Sequence, residues 1–293
     1  MTQAPPDSGR SGGALLADAT RLGGVHVKVT DLDRSLPFYT GVVGLTLAQR
    51  DGDSATLGAG AEPIVTLHAD PHARRPQREA GLYHVALLFG SREELARVGR
   101  RVAETRTRID GASDHGTHEA IYLPDPDGIG VELAADRPRE LWPSHDGGEI
   151  FSHGPAPLDV RALFETIADE PPREQADSSL RVGHVHLHVG DLATSTRFYR
   201  DGLGFEVMAA MPTATFVSFG RYHHHVAFNL WRGEGVPPAS RDTVGLMHWT
   251  LETASASERD AVRERLESLG VDLEQHDGGL LARDPASIAV LVR

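Results

Sequence analysis

The feature that most restricts how this chain can fold is that it says the same thing twice, in a fixed order. GGVHVKVTDLDRSLPFYTGVVGL, from Gly23, aligns without a gap on GHVHLHVGDLATSTRFYRDGLGF, from Gly183. Asp31 falls on Asp191, Ser35 on Ser195, Phe38-Tyr39 on Phe198-Tyr199 and Gly44 on Gly204. A second pair follows: GLYHVALLFGSREELARVGRRVAE, from Gly81, resembles GLMHWTLETASASERDAVRERLESLG, from Gly245. Their endings, YLPDPDGIGVEL and LARDPASIAVLV, share an Asp-Pro turn before a last strand. The order A-B-A′-B′ indicates duplication and predicts four modules, each a strand, a helix and then further strands. The expected division is a flexible arm at 1–20, one half at 21–136, a linker with a short helix at 137–180, and a second half at 181–293.

The opening strands alternate. In HVHLHV, Val185, Leu187 and Val189 share one face and His184, His186 and His188 the other. The valine face packs under the helix bearing Phe198 and Tyr199, so the histidine face must meet solvent or a cavity. The same parity sets His84 and Ala86 opposite Val85 and Leu87, and Glu132 opposite Val131 and Leu133. Potential ligands therefore stand on the non-core faces of three strands.

Bulk properties narrow the chemistry. The 293 residues carry a net charge of −13, which argues against nucleic acid as a partner, because phosphate binding needs clustered Lys and Arg. There is no cysteine, so disulfides, thiolate nucleophiles and Cys-ligated zinc are excluded, and His, Asp and Glu remain for any metal. The first twenty residues lack the apolar core of a signal peptide and no later stretch reaches membrane-spanning length, so a cytoplasmic protein without a membrane partner is expected.

The paired modules with HVHLHVGDL…FYRDGLGFEV and YLPDPDGIGVEL resemble the vicinal oxygen chelate superfamily, and within it the two-domain extradiol catechol 2,3-dioxygenases. The resemblance covers about residues 22–136 and 180–293. It implies an α+β fold of four βαβββ modules in two tandem halves, with curved mixed sheets, helices on the outer faces and cavities inside. It also implies Fe(II), with Mn(II) as the alternative ion, a catechol-type substrate and O2. In that family the ligands come from modules three and four, which by position would be His184, His248 and Leu291. Leucine cannot bind a metal, and the tyrosine expected upstream is replaced by Leu281. Module two supplies what module four lacks: His84, Glu132 and Tyr122. Module one has Gly24 where module three has His184. The inferred centre is therefore His84 and Glu132 with His184, lying between the halves; a site shared between subunits of a homo-oligomer is the other arrangement.

A further motif, RYHHHVAFNLW from Arg221, opens what reads as the last strand of module three. The resemblance gives His224 the acid–base role, with Tyr122 as acid donor and His115, His186 and His223 as substrate contacts. Strand alternation would separate His224 from His223 and His225. Any one of these histidines taken singly reads more simply as a hydrogen-bonded bystander, and Tyr122 as core packing. His188 and His248 are not expected as ligands. Competing functions are a glyoxalase-type isomerase, a fosfomycin-type transferase and a non-enzymatic resistance protein that sequesters a small molecule. The isomerases present a second carboxylate to the metal, where this chain offers Val226-Ala227-Phe228-Asn229.

Overall fold

The computed structural model describes residues 16–143 and 154–293. Module one comprises β1 (Arg21–Val29), α1 (Leu32–Pro37), β2 (Thr46–Asp51), β3 (Ser54–Ala59) and β4 (Glu62–Ala69). Module two comprises β5 (Gly81–Phe89), α2 (Arg92–Glu104), β6 (Gly111–Asp114), β7 (His118–Pro124) and β8 (Gly130–Asp136). The connecting segment holds β9 (Ala156–Pro157) and α3 (Val160–Glu165). Module three is β10 (Arg181–His188), α4 (Leu192–Arg197), β11 (Glu206–Met211), β12 (Ala214–Ser218) and β13 (Val226–Asn229). Module four is β14 (Gly245–Glu252), α5 (Ala256–Ser268), β15 (Leu273–His276), β16 (Gly279–Arg283) and β17 (Ala289–Val292).

The modules pair across the halves. One sheet runs β15-β16-β17-β14-β1-β4-β3-β2, joining modules four and one. The other runs β11-β12-β13-β10-β5-β8-β7-β6-β9, joining modules three and two. Both mix parallel and antiparallel pairs, and the seams β1·β14 and β5·β10 are antiparallel. The alternation read from sequence explains the layering: Val25, Val27, Val29, Val185, Leu187 and Val189 are all fully buried beneath the helices. Each such side chain contributes about 2 kcal/mol of hydrophobic stabilisation.

The helices begin where their caps say they should. Ser91 and Ser255 accept from Glu94 N and Glu258 N, the S-x-x-E pattern of a capping box. Asp31 and Asp191 cap α1 and α4, and each helix runs on into a π-helical turn, Phe38–Val43 and Phe198–Leu203. Those turns end at Gly44 (φ 89°) and Gly204 (φ 93°), a left-handed conformation that glycine adopts without a Cβ penalty. Arg101 donates to the carbonyls of Val42 and Val43, and Arg265 to those of Gly202 and Leu203, satisfying the orphan acceptors of both turns. Tyr39 and Tyr199 donate to Asp125 and Asp284, whose other oxygens hold the Asp-Pro turns through two backbone amides each.

Parts of the expected arm and linker pack against the sheets. Residues 1–15 of the expected arm lie outside the described residues, but Leu16 is buried, its amide bonds to Gly204 O, and Ala17 N donates to Glu258. The segment at 137–180 does more than link, and its residues 144–153 also lie outside the described residues. Within it Leu163 is fully buried, Glu170 pairs with Arg97, and β9 extends the edge of the second sheet at β6. Both stretches are polar overall, yet buried apolar side chains anchor them: Leu16 in the first, and Leu158, Leu163, Ile167 and Leu180 in the second. No helix among the described residues is long and apolar enough to cross a membrane.

Candidate metal centre

The seam β5·β10 pairs His184 with Ala86 and His186 with His84, while the parallel pair β5·β8 sets Ala86 beside Glu132. One row across three strands therefore reads His184, Ala86, Glu132. The methyl of Ala86 leaves open the space between two long side chains, and His84, two residues along the same face, reaches into it. His84 Nε2 lies 2.9 Å from Glu132 Oε2 and 3.2 Å from His184 Nε2, and His184 Nε2 lies 3.1 Å from the same Glu132 oxygen. All three side chains are buried.

This triangle tests whether an ion fits. Three donors each about 2.1 Å from one ion, at right angles to one another, stand about 3.0 Å apart, the edge of an octahedral face. The observed sides agree. The oxygen at the apex of the triangle is Glu132 Oε2, while Oε1 is buried and makes no hydrogen bond in this structure. Among the described residues this is the only group of three such donors whose ligand atoms all lie within 4.8 Å of one another. Protonation suits the task as well. Burial alone would raise the Glu132 carboxyl, but His184 and His84 beside it, with His118 close by, hold it well below the usual carboxylate range. Burial lowers His184, against the pull of Glu132, so the imidazole is neutral and able to donate a lone pair.

The triad forms one wall of a cavity of about 590 Å³. Tyr83, Met211, Phe216 and Trp231 make its apolar side, and among the described residues no Lys or Arg lines it. Tyr122 faces the triad from β7 and His115 from the β6–β7 turn, with His115 Nε2 and the Tyr122 hydroxyl 2.8 Å apart. Burial, and then His118, bring His115 down to about 4, while burial and Glu132 push the Tyr122 phenol up. A protonated phenol can donate to a neutral imidazole nitrogen across that distance. His186 lines the cavity with its Nε2 2.9 Å from Asn229 Nδ2, and Asn229 Oδ1 accepts from His188 Nδ1 and Trp231 N.

The histidine run differs from its expected form. β13 begins at Val226, so His223, His224 and His225 lie on irregular backbone, and strand alternation is not what sorts them. His224 lines the cavity, its ring centroid 4.1 Å from that of His184. Burial, His184 and His223 together hold His224 well below the ordinary imidazole value. His223, expected to touch substrate, is not among the cavity-lining residues; its Nδ1 lies 2.8 Å from His224 Nδ1 and its Nε2 3.2 Å from Asp136 Oδ1. His225 turns to Ser218 Oγ and stacks on Phe219. His248 belongs to the other sheet, stacked on His26.

Sequence reasoning passed over four residues of the site: Ala86 as the spacer, Tyr83 and Trp231 at the cavity mouth, and His118. The last had a signal, since it stands four residues before Tyr122 on the same strand and so on the same face.

Comparison with known proteins bears on this geometry. The family described as the Glyoxalase/Bleomycin resistance protein/Dioxygenase superfamily matches residues 21–133 and 181–278. A Bacillus subtilis (strain 168) protein named catechol-2,3-dioxygenase is 36% identical over 277 residues, covering 93% of this chain and 96% of its own. The metapyrocatechase of Geobacillus stearothermophilus is 25% identical over 222 residues, 72% of this chain and 61% of that one. Among solved structures, glyoxalase I from Zea mays superposes with a TM-score of 0.58 at 19% identity, covering 93% of this chain and 92% of that one. That last likeness concerns the fold.

Proposed function

The chain belongs to the Glyoxalase/Bleomycin resistance protein/Dioxygenase superfamily, and from that premise we propose that it is an iron(II)-dependent extradiol ring-cleaving dioxygenase acting on catechol or a substituted catechol with O2. His84, Glu132 and His184 would hold the metal between modules two and three. The observation that carries this reading is the donor triangle itself: two imidazoles and one carboxylate, on one side, leaving the opposite side open to the cavity. When bound, iron(II) supplies a Lewis-acidic centre with vacant positions at which both catechol oxygens and dioxygen meet.

The chain's own residues do the rest. Tyr83, Phe216, Met211 and Trp231 give an aromatic ring an apolar wall and keep bulk water from it. His224, buried and neutral, takes a proton from a catechol hydroxyl and later returns one as the ring opens. His223, tied to Asp136, fixes the orientation of His224 from behind. Tyr122, its phenol kept protonated, donates a hydrogen bond toward the reacting oxygens or to His115. A glyoxalase-type isomerase would call for a second carboxylate from β13, where Asn229 instead bonds to His186 and His188. The test is anaerobic loading with iron(II) followed by catechol in air. A yellow ring-opened product is expected, and iron-loaded protein that leaves catechols intact would sink the proposal.

A further inference from the structure

The two oxygens of Glu132 are used unequally. Oε2 makes both short contacts, to His84 and to His184. Oε1 turns away from that triangle, is buried without a hydrogen-bond partner, and has His118 Nε2 3.3 Å from it. His118 is itself buried, at 4% exposure, and its ring is clamped. It stacks between His115, at 4.5 Å and 9° between planes, and His223, at 4.6 Å and 18°. Two parallel neighbours leave the ring free to move only in its own plane, the plane in which its nitrogens point. At the far edge His118 Nδ1 lies 2.9 Å from the hydroxyl of Thr117, which is also buried. A threonine hydroxyl donating to Nδ1 places the ring proton on Nε2, facing the orphaned oxygen.

We propose that His118 is a positioning residue: it holds Glu132 Oε1 through Nε2–H, so that the carboxylate meets the metal through Oε2 alone. This rests on the metal reading given above. The consequence is a matter of counting. A carboxylate that chelated through both oxygens would occupy a position that substrate or dioxygen must take, whereas one held by a neighbour leaves all three open. Nε2 and Oε1 stand 3.3 Å apart, within reach of a hydrogen bond once the N–H is aligned with the oxygen. The arrangement is particular to this sheet. β16, the counterpart of β7, runs Gly279–Arg283 and carries no histidine, and β17 puts Leu291 where β8 has Glu132.

The experiment measures iron(II) affinity directly, by anaerobic competition with a chromophoric chelator, and needs no turnover. His118→Leu should weaken iron(II) binding roughly 10–100-fold, the usual effect of removing a partner of a metal-ligating group. His118→Gln, which restores an amide donor, should recover most of the loss. Thr117→Val, nearly isosteric, should weaken binding by a smaller factor by freeing the tautomer. X-ray absorption of the loaded His118→Leu protein should show one more oxygen neighbour than wild type. Wild-type affinity in His118→Leu, or equal losses in the Leu and Gln variants, would overturn the role. Failure of the metal reading looks different: wild-type protein would then take up no iron, or Glu132→Ala would take up as much as wild type.

Discussion

Two sheets of nearly the same design differ in what they keep. Each has an Asp-capped helix running into a π-helical turn, a buried Tyr–Asp pair and an arginine closing the turn's carbonyls. These features pack the core, and the loss of either copy would leave buried polar groups unpaired. The row that holds the donor triangle in one sheet is His184, Ala86, Glu132. By module position the other sheet has Gly24, Thr250 and Leu291 there, the last two paired in register. It still holds histidines. His26 stacks on His248 at 4.1 Å and on His68 at 5.1 Å, with His26 Nδ1 2.9 Å from His68 Nε2. Stacked rings present their nitrogens side by side instead of toward a point, and His248 Nε2 is left without a partner. Packing is needed twice and chemistry once, so duplication preserves the first and releases the second.

The largest effect that separates the two sheets is on metal. Ala substitution of His84, Glu132 or His184 should each strip most of the bound iron and all measurable ring cleavage, whereas His248→Ala should keep both. Iron per chain after gel filtration decides it, and an empty His248→Ala protein would reverse the assignment. Next in size is the proton step: His224→Phe should retain iron yet turn over about 10²–10⁴-fold more slowly. His223→Ala should slow turnover less, because it acts through His224. Loss of iron in His224→Phe would make it a ligand.

A smaller effect is expected from trying to erase the difference. Gly24→His with Leu291→Glu would give the second sheet all three donor types alongside His248. A Cβ at Gly24 would lie 3.0 Å from Pro63 O, tighter than ordinary contact, so the imidazole should not settle in place. One iron per chain is the expected outcome of a metal titration, and two would show that side-chain identity alone distinguishes the sheets.

The smallest effect concerns acid. Burial, followed by His68, lowers His26 to about 4, against Asp277 and with Arg293 and His276 adding; burial, followed by His26, lowers His248 to about 3. Their unfolded value is about 6.5. Above that pH both states are neutral and the contribution is complete; as pH falls toward 4 the unfolded chain takes protons that the folded chain refuses, and stability is lost. Urea midpoints measured from pH 7 to 4 should therefore fall less steeply in a His26→Phe/His248→Phe variant than in wild type. An unchanged slope would show that the histidines of the other sheet carry the whole effect.

What could be read from sequence was set by periodicity and repetition. Alternation gave the faces of β5, β8 and β10, and comparison of modules picked out His84, Glu132 and His184, which the structure brings within hydrogen-bonding distance of one another. Strand register is not written in a single strand, so the row through Ala86 was invisible, as was the stack that places His118 beside Glu132. The apolar sequence after the histidine run reads as a strand from Arg221 on, yet the strand begins only at Val226; His223 meets His224 and Asp136, His224 lines the cavity and His225 bonds to Ser218.

The β5·β10 seam has a thermodynamic consequence. Its two histidines stand 100 residues apart in the chain, and an unfolded chain does not hold them together. Any ion seated there is a ligand of the folded state alone, and it stabilises that state by about 2.7 kcal/mol when free metal exceeds its dissociation constant a hundredfold. The ion then acts as a reversible stitch between the halves. Protein stripped of that ion should therefore unfold at a lower denaturant concentration than loaded protein.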